Sequence, residues 1–316
     1  LEQLTRINEY HEIINAKPPL VSLENVSAHV PLNIVRDTEF YNIGKVPTHA
    51  GPRIVPCAKP NHIEEALRTQ DIVGIITTPS LADNVPDHLG LVIDDAPLKA
   101  AYRIHEYLCD VPNHYWKEFD SYIDETATIH PDASIAEKNV IIGPHSRIGA
   151  GTIIAERSVI GAHCDIGLGV TIGGDAFEVV NLHERRSVLR QGGGVRIGDH
   201  VTIQSQSNIV RATFAGFTEI GDETCIDALV HVAHDCVIGK RVTITACAEI
   251  SGRVNIKDNA WLGPNCSIVN GLTIGEGSKV TIGSTVTRNV DDGQTVTGNF
   301  AIEHQKWLKF VRSLVK

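Results

Sequence analysis

Between Ile220 and Val286 an aliphatic residue occupies every sixth position: Ile220, Ile226, Val232, Ile238, Ile244, Ile250, Ile256, Leu262, Ile268, Ile274, Val280 and Val286. An α-helix would need a repeat near 3.6 and a simple strand a repeat of 2. A repeat of six fits a chain that takes a short strand, turns, and does so three times per coil, with the aliphatic residue pointing inward. That is a parallel β-helix built of hexapeptides. The same repeat runs upstream through Ile142, Ile148, Ile154, Ile160, Ile166 and Ile172, preceded by Ile123, Ile129 and Ile135 with a slip of one residue. It resumes at Ile197, Ile203 and Ile209, and Ile220 follows after eleven residues. The hexads amount to roughly eight coils, a prism on the order of 40 Å tall at about 4.8 Å per coil. A β-sandwich would show alternation and irregular turn spacing instead.

The break from Asp175 to Val195 contains Glu184-Arg185-Arg186 and Gly192-Gly193-Gly194. It reads as one long loop extruded from a regular solenoid, and such loops in compact repeats tend to carry function. Ahead of the repeat, short apolar runs (Arg53–Val55, Ile72–Ile76, Gly90–Ile93) alternate with helical stretches at Asn61–Thr69 and Leu98–Leu108, which is a small α/β domain. Residues 1–16 suit an amphipathic helix, and Trp307, Leu308, Val311 and Leu314 fall on one face of a terminal helix. The expected division is 1–115 for an N-terminal helix and α/β domain, 120–292 for the β-helix, and 293–316 for a C-terminal helical tail.

Composition narrows the partners. A formal charge of −10 argues against nucleic acid or an anionic membrane as the main partner. No apolar stretch approaches the roughly 20 residues of a membrane span. No basic start followed by an apolar run marks a secretory signal. The seven cysteines are scattered without a CxxC pair, which suits reduced thiols in a cytoplasm. The chain has no methionine.

The densest polar cluster in the repeat is Ile226–Cys236, with His231 and His234. His234 is at a turn position of its hexad. One coil later stands Gly252, and two coils later Asn270, so an imidazole, a glycine amide and a side-chain amide stack on one edge. Acyl transfer asks for such a set: an imidazole takes a proton from the attacking group, and a backbone N–H holds the oxyanion. Glycine and asparagine are also common turn residues, and the spacing alone leaves both readings open.

The cluster Ile226–His234, the segment Ile172–Phe177 and the α/β head resemble the UDP-3-O-acyl-glucosamine N-acyltransferases of lipid A synthesis and related nucleotide-sugar N-acyltransferases. The resemblance implies a mainly β protein: a left-handed parallel β-helix with a small N-terminal α/β domain and a C-terminal helix. It implies a homotrimer with active sites between subunits, in which the catalytic histidine is His234, its nearby aspartate Asp227 and the oxyanion glycine Gly252. Candidate substrate-binding residues are Asp175, Phe177, Arg185, Arg186, His231 and Asn270. The family's uracil pocket is not kept, since Pro56, Lys59 and His62 stand at the matching positions, and this points to a different nucleotide-linked amino sugar contacted by Lys59 and His62. Gly283–Val290 resembles the closing turns of coenzyme-A-dependent hexapeptide acyltransferases, so Arg253, Lys279 and Arg288 are candidate donor-binding cations. The acidic acyl carrier protein is the other candidate donor, met by Lys306, Lys309 and Arg312. No permanent cofactor is expected.

Three other readings are weighed against this one. The first is the lipid A enzyme itself, with an acyl carrier protein donor. The second is a metal-dependent trimeric hydratase, for which His231 and His234 lack an obvious third ligand. The third is a non-enzymatic trimeric scaffold, which does not account for the polar cluster, the extruded loop or the head.

Overall fold

The computed structural model describes residues 20–44, 51–182, 185–298, 301 and 303–314. The helix expected over residues 1–16 lies outside them.

The solenoid is the expected parallel β-helix, wound from hexapeptides into three parallel sheets of eight, eight and nine strands. Most strands are two residues long, the first facing out and the second in. His231 pairs with Glu249 and Val232 with Ile250 in the next coil, which is the offset that a six-residue repeat taken three times requires. The inward Ile, Val and Leu positions form one continuous core, with Ile226, Val232, Ile244, Ile250 and Leu262 each at most 1% exposed. The three sheets are named here after His231, Val237 and Trp261, one outward residue of each. At many corners the second turn residue takes a left-handed conformation without being glycine, as at Asp235 (φ 58°) and Arg253 (φ 63°). That conformation costs an L-residue about 1–2 kcal/mol. Coil-to-coil hydrogen bonds such as Arg253 N to His234 O (2.8 Å) offset it. On the edge between the Val237 and Trp261 sheets the exposed rings of His145, His163 and His200 stack at 4.9 and 4.8 Å.

The head is a five-stranded sheet of β1 (Asn33–Arg36), β2 (Asn42–Ile43), β3 (Arg53–Cys57), β4 (Ile72–Thr77) and β5 (Gly90–Ile93), in the order β1-β5-β4-β3-β2. Only β1 runs antiparallel to its neighbour. Helix α1 (Pro60–Leu67) and helix α2 (Pro97–Asp110) cover opposite faces. Ile63 and Ala66 of α1 pack with Val55, Ile75 and Leu91, whereas Ala101, Ile104 and Leu108 of α2 pack with Ile54, Ile76 and Val92. The alternation along each strand decides which helix it meets.

The long break in the repeat folds as a hairpin, Val179–Leu182 against Arg185–Val188. Its Val180 and Leu182, with Leu189, enter the core under α2. Buried apolar side chains thus tie the described part of this loop to the head of its own chain. Fully buried His105 of α2 completes the junction, with Nε2 2.8 Å from Arg190 O and Nδ1 2.9 Å from Tyr115 OH. The C-terminal helix α3 (His304–Leu314) buries none of its residues. Among the described residues no helix is long and apolar enough to cross a membrane.

Candidate active site

His234 stands on the edge where the His231 sheet turns into the Val237 sheet. The turn that follows gives Asp235 its positive φ and brings its carboxylate back onto the ring, with Nδ1 2.7 Å from Asp235 Oδ2. A carboxylate only accepts, so the proton sits on Nδ1 and the lone pair on Nε2. The side chains are 14% and 4% exposed. Asp235 is itself fixed: its Oδ1 accepts from Thr213 N (3.1 Å) and its N–H donates to Thr218 Oγ1 (2.9 Å). Thr213 Oγ1 lies 3.0 Å from His234 Nδ1.

Thr213 owes its position to the end of the extruded loop. Gly192 N donates to Thr213 O (2.8 Å), Gly193 N to Ala212 O (3.2 Å) and Gly194 N to Gly216 O (2.9 Å). A Cβ at Gly193 would come 2.3 Å from Phe214 O and one at Gly194 2.1 Å from Arg157 O, so the chain passes there only without side chains. From the head, Asn42 holds the same segment, its Oδ1 accepting from Ala215 N (3.2 Å).

Gly252 lies directly over the ring. A Cβ there would sit 2.6 Å from His234 Nε2, so this position decides whether the basic nitrogen is accessible. The Gly252 N–H makes no hydrogen bond among the described residues, while its carbonyl accepts from Gly271 N (3.0 Å). A proton acceptor and an unused backbone donor are therefore adjacent on one edge. The register continues the column to exposed Asn270 and Arg288.

Other expected residues are placed differently. Asp227 is in the turn before His231, at the preceding corner of the coil. There its carboxylate accepts from Ala228 N (2.7 Å) and Ala246 N (3.2 Å) and holds that turn. The carboxylate in contact with the His234 ring is that of Asp235, not Asp227. Arg253 does not face outward as a donor-binding cation: it is 15% exposed and lies 3.7 Å from Glu178 Oε2 of the hairpin. Lys279 is exposed on the Trp261 sheet, away from the His234 edge, so the three expected donor cations do not converge. Lys59 caps the start of α1 and His62 lies in it, on the head face turned away from α2 and the solenoid, and neither is brought to His234.

His231 faces outward beside Asn208, with Nδ1 3.4 Å from Asn208 Nδ2. Asp175 lies 3.4 Å from Arg211 Nε, Phe177 is 84% exposed, and Arg186 is exposed on the hairpin. The Arg185 side chain lies outside the described residues. Sequence reading missed Asp235, Thr213 and Glu178. The eleven-residue step between Ile209 and Ile220 was the signal for Thr213. Burial pushes the His105 imidazole down to about 4. Burial first, then the Glu178 carboxylate, pushes the Tyr102 phenol up. Among the described residues no three His, Cys, Asp or Glu side chains converge as a metal-binding set.

Residues 217–252 match the bacterial transferase hexapeptide family (six repeats). An acyl-[acyl-carrier-protein]–UDP-N-acetylglucosamine O-acyltransferase of Thermodesulfovibrio yellowstonii is 36% identical over 150 residues, which is 44% of this chain and 56% of that protein. A UDP-3-O-acylglucosamine N-acyltransferase of Sulfurimonas denitrificans is 35% identical over 148 residues, 46% of each. A solved UDP-N-acetylglucosamine acyltransferase from Campylobacter jejuni aligns with 61% of this chain and 83% of its own at 23% identity, with a TM-score of 0.47. The chain thus spans about half the length of the curated relatives it matches. It is a hexapeptide-repeat protein that resembles, over that half, the acyltransferases acting on UDP-linked glucosamine derivatives.

Proposed function

We propose that the chain is an N-acyltransferase that moves an acyl group from a thioester to the amine of a nucleotide-linked amino sugar. The amine attacks the thioester carbonyl and a C–N bond forms. Its proton passes to His234 Nε2. The carbonyl oxygen becomes an oxyanion held by Gly252 N–H. The C–S bond then breaks, and the thiolate takes the proton back from the imidazolium. Asp235 keeps the ring in the tautomer that leaves Nε2 basic. The observation that carries this reading is that the Nε2 side of the His234 ring faces Gly252, whose N–H makes no hydrogen bond among the described residues.

The working form is a homotrimer, and the nucleotide is held at the head. Exposed Leu168, Leu229 and Ile282 line the edge between the Trp261 and His231 sheets and suit contact with a second copy. A second reading has UDP-3-O-acylglucosamine as acceptor and acyl carrier protein as donor. The names of the relatives favour it, as do exposed Lys306, Lys309 and Arg312 on α3. The test is an assay of UDP-, GDP- and dTDP-linked amino hexoses and UDP-3-O-acylglucosamine, each with acetyl-CoA and with an acyl carrier protein thioester. N-acylated product from one pair, formed at least about 10²-fold more slowly by His234→Ala, is the expected result. No product from any pair overturns the proposal.

A further inference from the structure

Three parts of the chain far apart in sequence meet beside the candidate site. Tyr102 of α2 donates its hydroxyl to Glu178 Oε1. Glu178 begins the hairpin, and its other oxygen lies 3.7 Å from Arg253 Nη1. Arg253 follows Gly252 directly, and its N–H donates to His234 O (2.8 Å). Tyr102 is 5% exposed, and the Arg253 and Glu178 side chains are 15% and 12% exposed. Among the described residues Arg253 Nη1 makes no hydrogen bond, and the Glu178 carboxylate at 3.7 Å is the counter-charge facing it.

Such a buried ion pair adds little net stability, because desolvation offsets attraction, but it fixes geometry. Fixed geometry matters here. Arg253 holds an unfavourable left-handed conformation (φ 63°), and the peptide bond joining it to Gly252 belongs to the turn that aims the Gly252 N–H. An oxyanion donor is effective only within tenths of an ångström of its station.

We propose that Glu178 is a positioning residue for acyl transfer. It holds the Arg253 guanidinium, and through it the Gly252–Arg253 turn, at the angle that sets the Gly252 N–H beside His234 Nε2. Tyr102 fixes the carboxylate, so the docked head and the hairpin both take part in shaping the turn. The inference rests on the acyl-transfer reading of this site.

Glu178→Gln keeps the size and still accepts from Tyr102, but removes the charge facing Arg253. With the best acceptor and thioester pair of the assay above, kcat should fall about tenfold or more. The acceptor KM should stay within about twofold and the Tm within a few degrees. Arg253→Gln should give a similar loss, and the double variant no further loss, because both act through one contact. Tyr102→Phe, which keeps the ring packing, should lower kcat by a smaller factor without adding to Glu178→Gln. It reads the same coupling if Glu178→Gln fails to fold. Wild-type kcat in Glu178→Gln, or losses that multiply in the double variant, would overturn the inference while His234→Ala stayed below about a tenth of wild-type kcat. More than about a tenth of wild-type kcat in His234→Ala would instead bring down the reading on which it rests.

Discussion

His234 Nδ1 and Asp235 Oδ2 lie 2.7 Å apart although the residues are consecutive, and in a strand consecutive side chains point to opposite faces. The left-handed turn at Asp235 removes that restriction. His234→Ala should lower kcat by about 10²–10⁴-fold, the usual range for a general base. Asp235→Asn should lower it by a comparable factor, because an amide can hold the ring in the wrong tautomer. His231→Ala should have a smaller effect. More than about a tenth of wild-type kcat in folded His234→Ala would mean that another group takes the proton.

Gly252→Ala places a methyl group 2.6 Å from the ring nitrogen. The backbone there does not require glycine, so the variant should fold. The ring must swing away, and kcat should fall by roughly 10²-fold. Steady-state kinetics alongside circular dichroism would check this, and an active, well-folded variant would show that the nitrogen is reached from elsewhere.

Leu229 is 54% exposed on the edge proposed to meet another copy. Leu229→Arg should shift light scattering from trimer towards monomer at micromolar concentration. A monomeric wild-type protein would remove the proposed assembly.

His105 makes folding sensitive to acid. Its folded pKa is depressed to about 4, from 6.5, by burial. Between those values the unfolded chain binds more protons than the folded one, so stability is complete above about pH 6.5 and falls as the pH drops towards 4. The shift is worth on the order of 3 kcal/mol at full expression. Melting curves from about pH 7.5 to about pH 5 should show a steeper loss for the wild type than for His105→Gln. Parallel profiles would assign the acid sensitivity to other groups.

The solenoid was legible because each inward Ile or Val repeats a single environment, so the period alone fixes fold and register. The same period found His234 over Gly252, since both belong to one column. It could not find Asp235 as the partner of His234, because the contact arises from a backbone sign at one turn and not from spacing. Asp227 looked equally suited in sequence, yet it sits at another corner. Glu178 and Thr213 lie in the two places where the repeat breaks, and there the outcome depends on how the head docks. Arg253 reads as an exposed cation until the hairpin covers it.

Most contacts of the solenoid join residues a coil apart, whereas Asn42 reaches Ala215 across 173 positions. Coils can therefore zip up from short loop closures, while docking of the head closes a longer loop, at about 2 kcal/mol more, and should come as a separate, slower event. During synthesis the head emerges first and has nothing to dock against until the Thr213 segment and the coils beneath it exist. The dyad of His234 and Asp235 would then mature last, on a scaffold already wound, and hydrogen exchange during refolding should protect the Ile250 strand before the Thr213 amide.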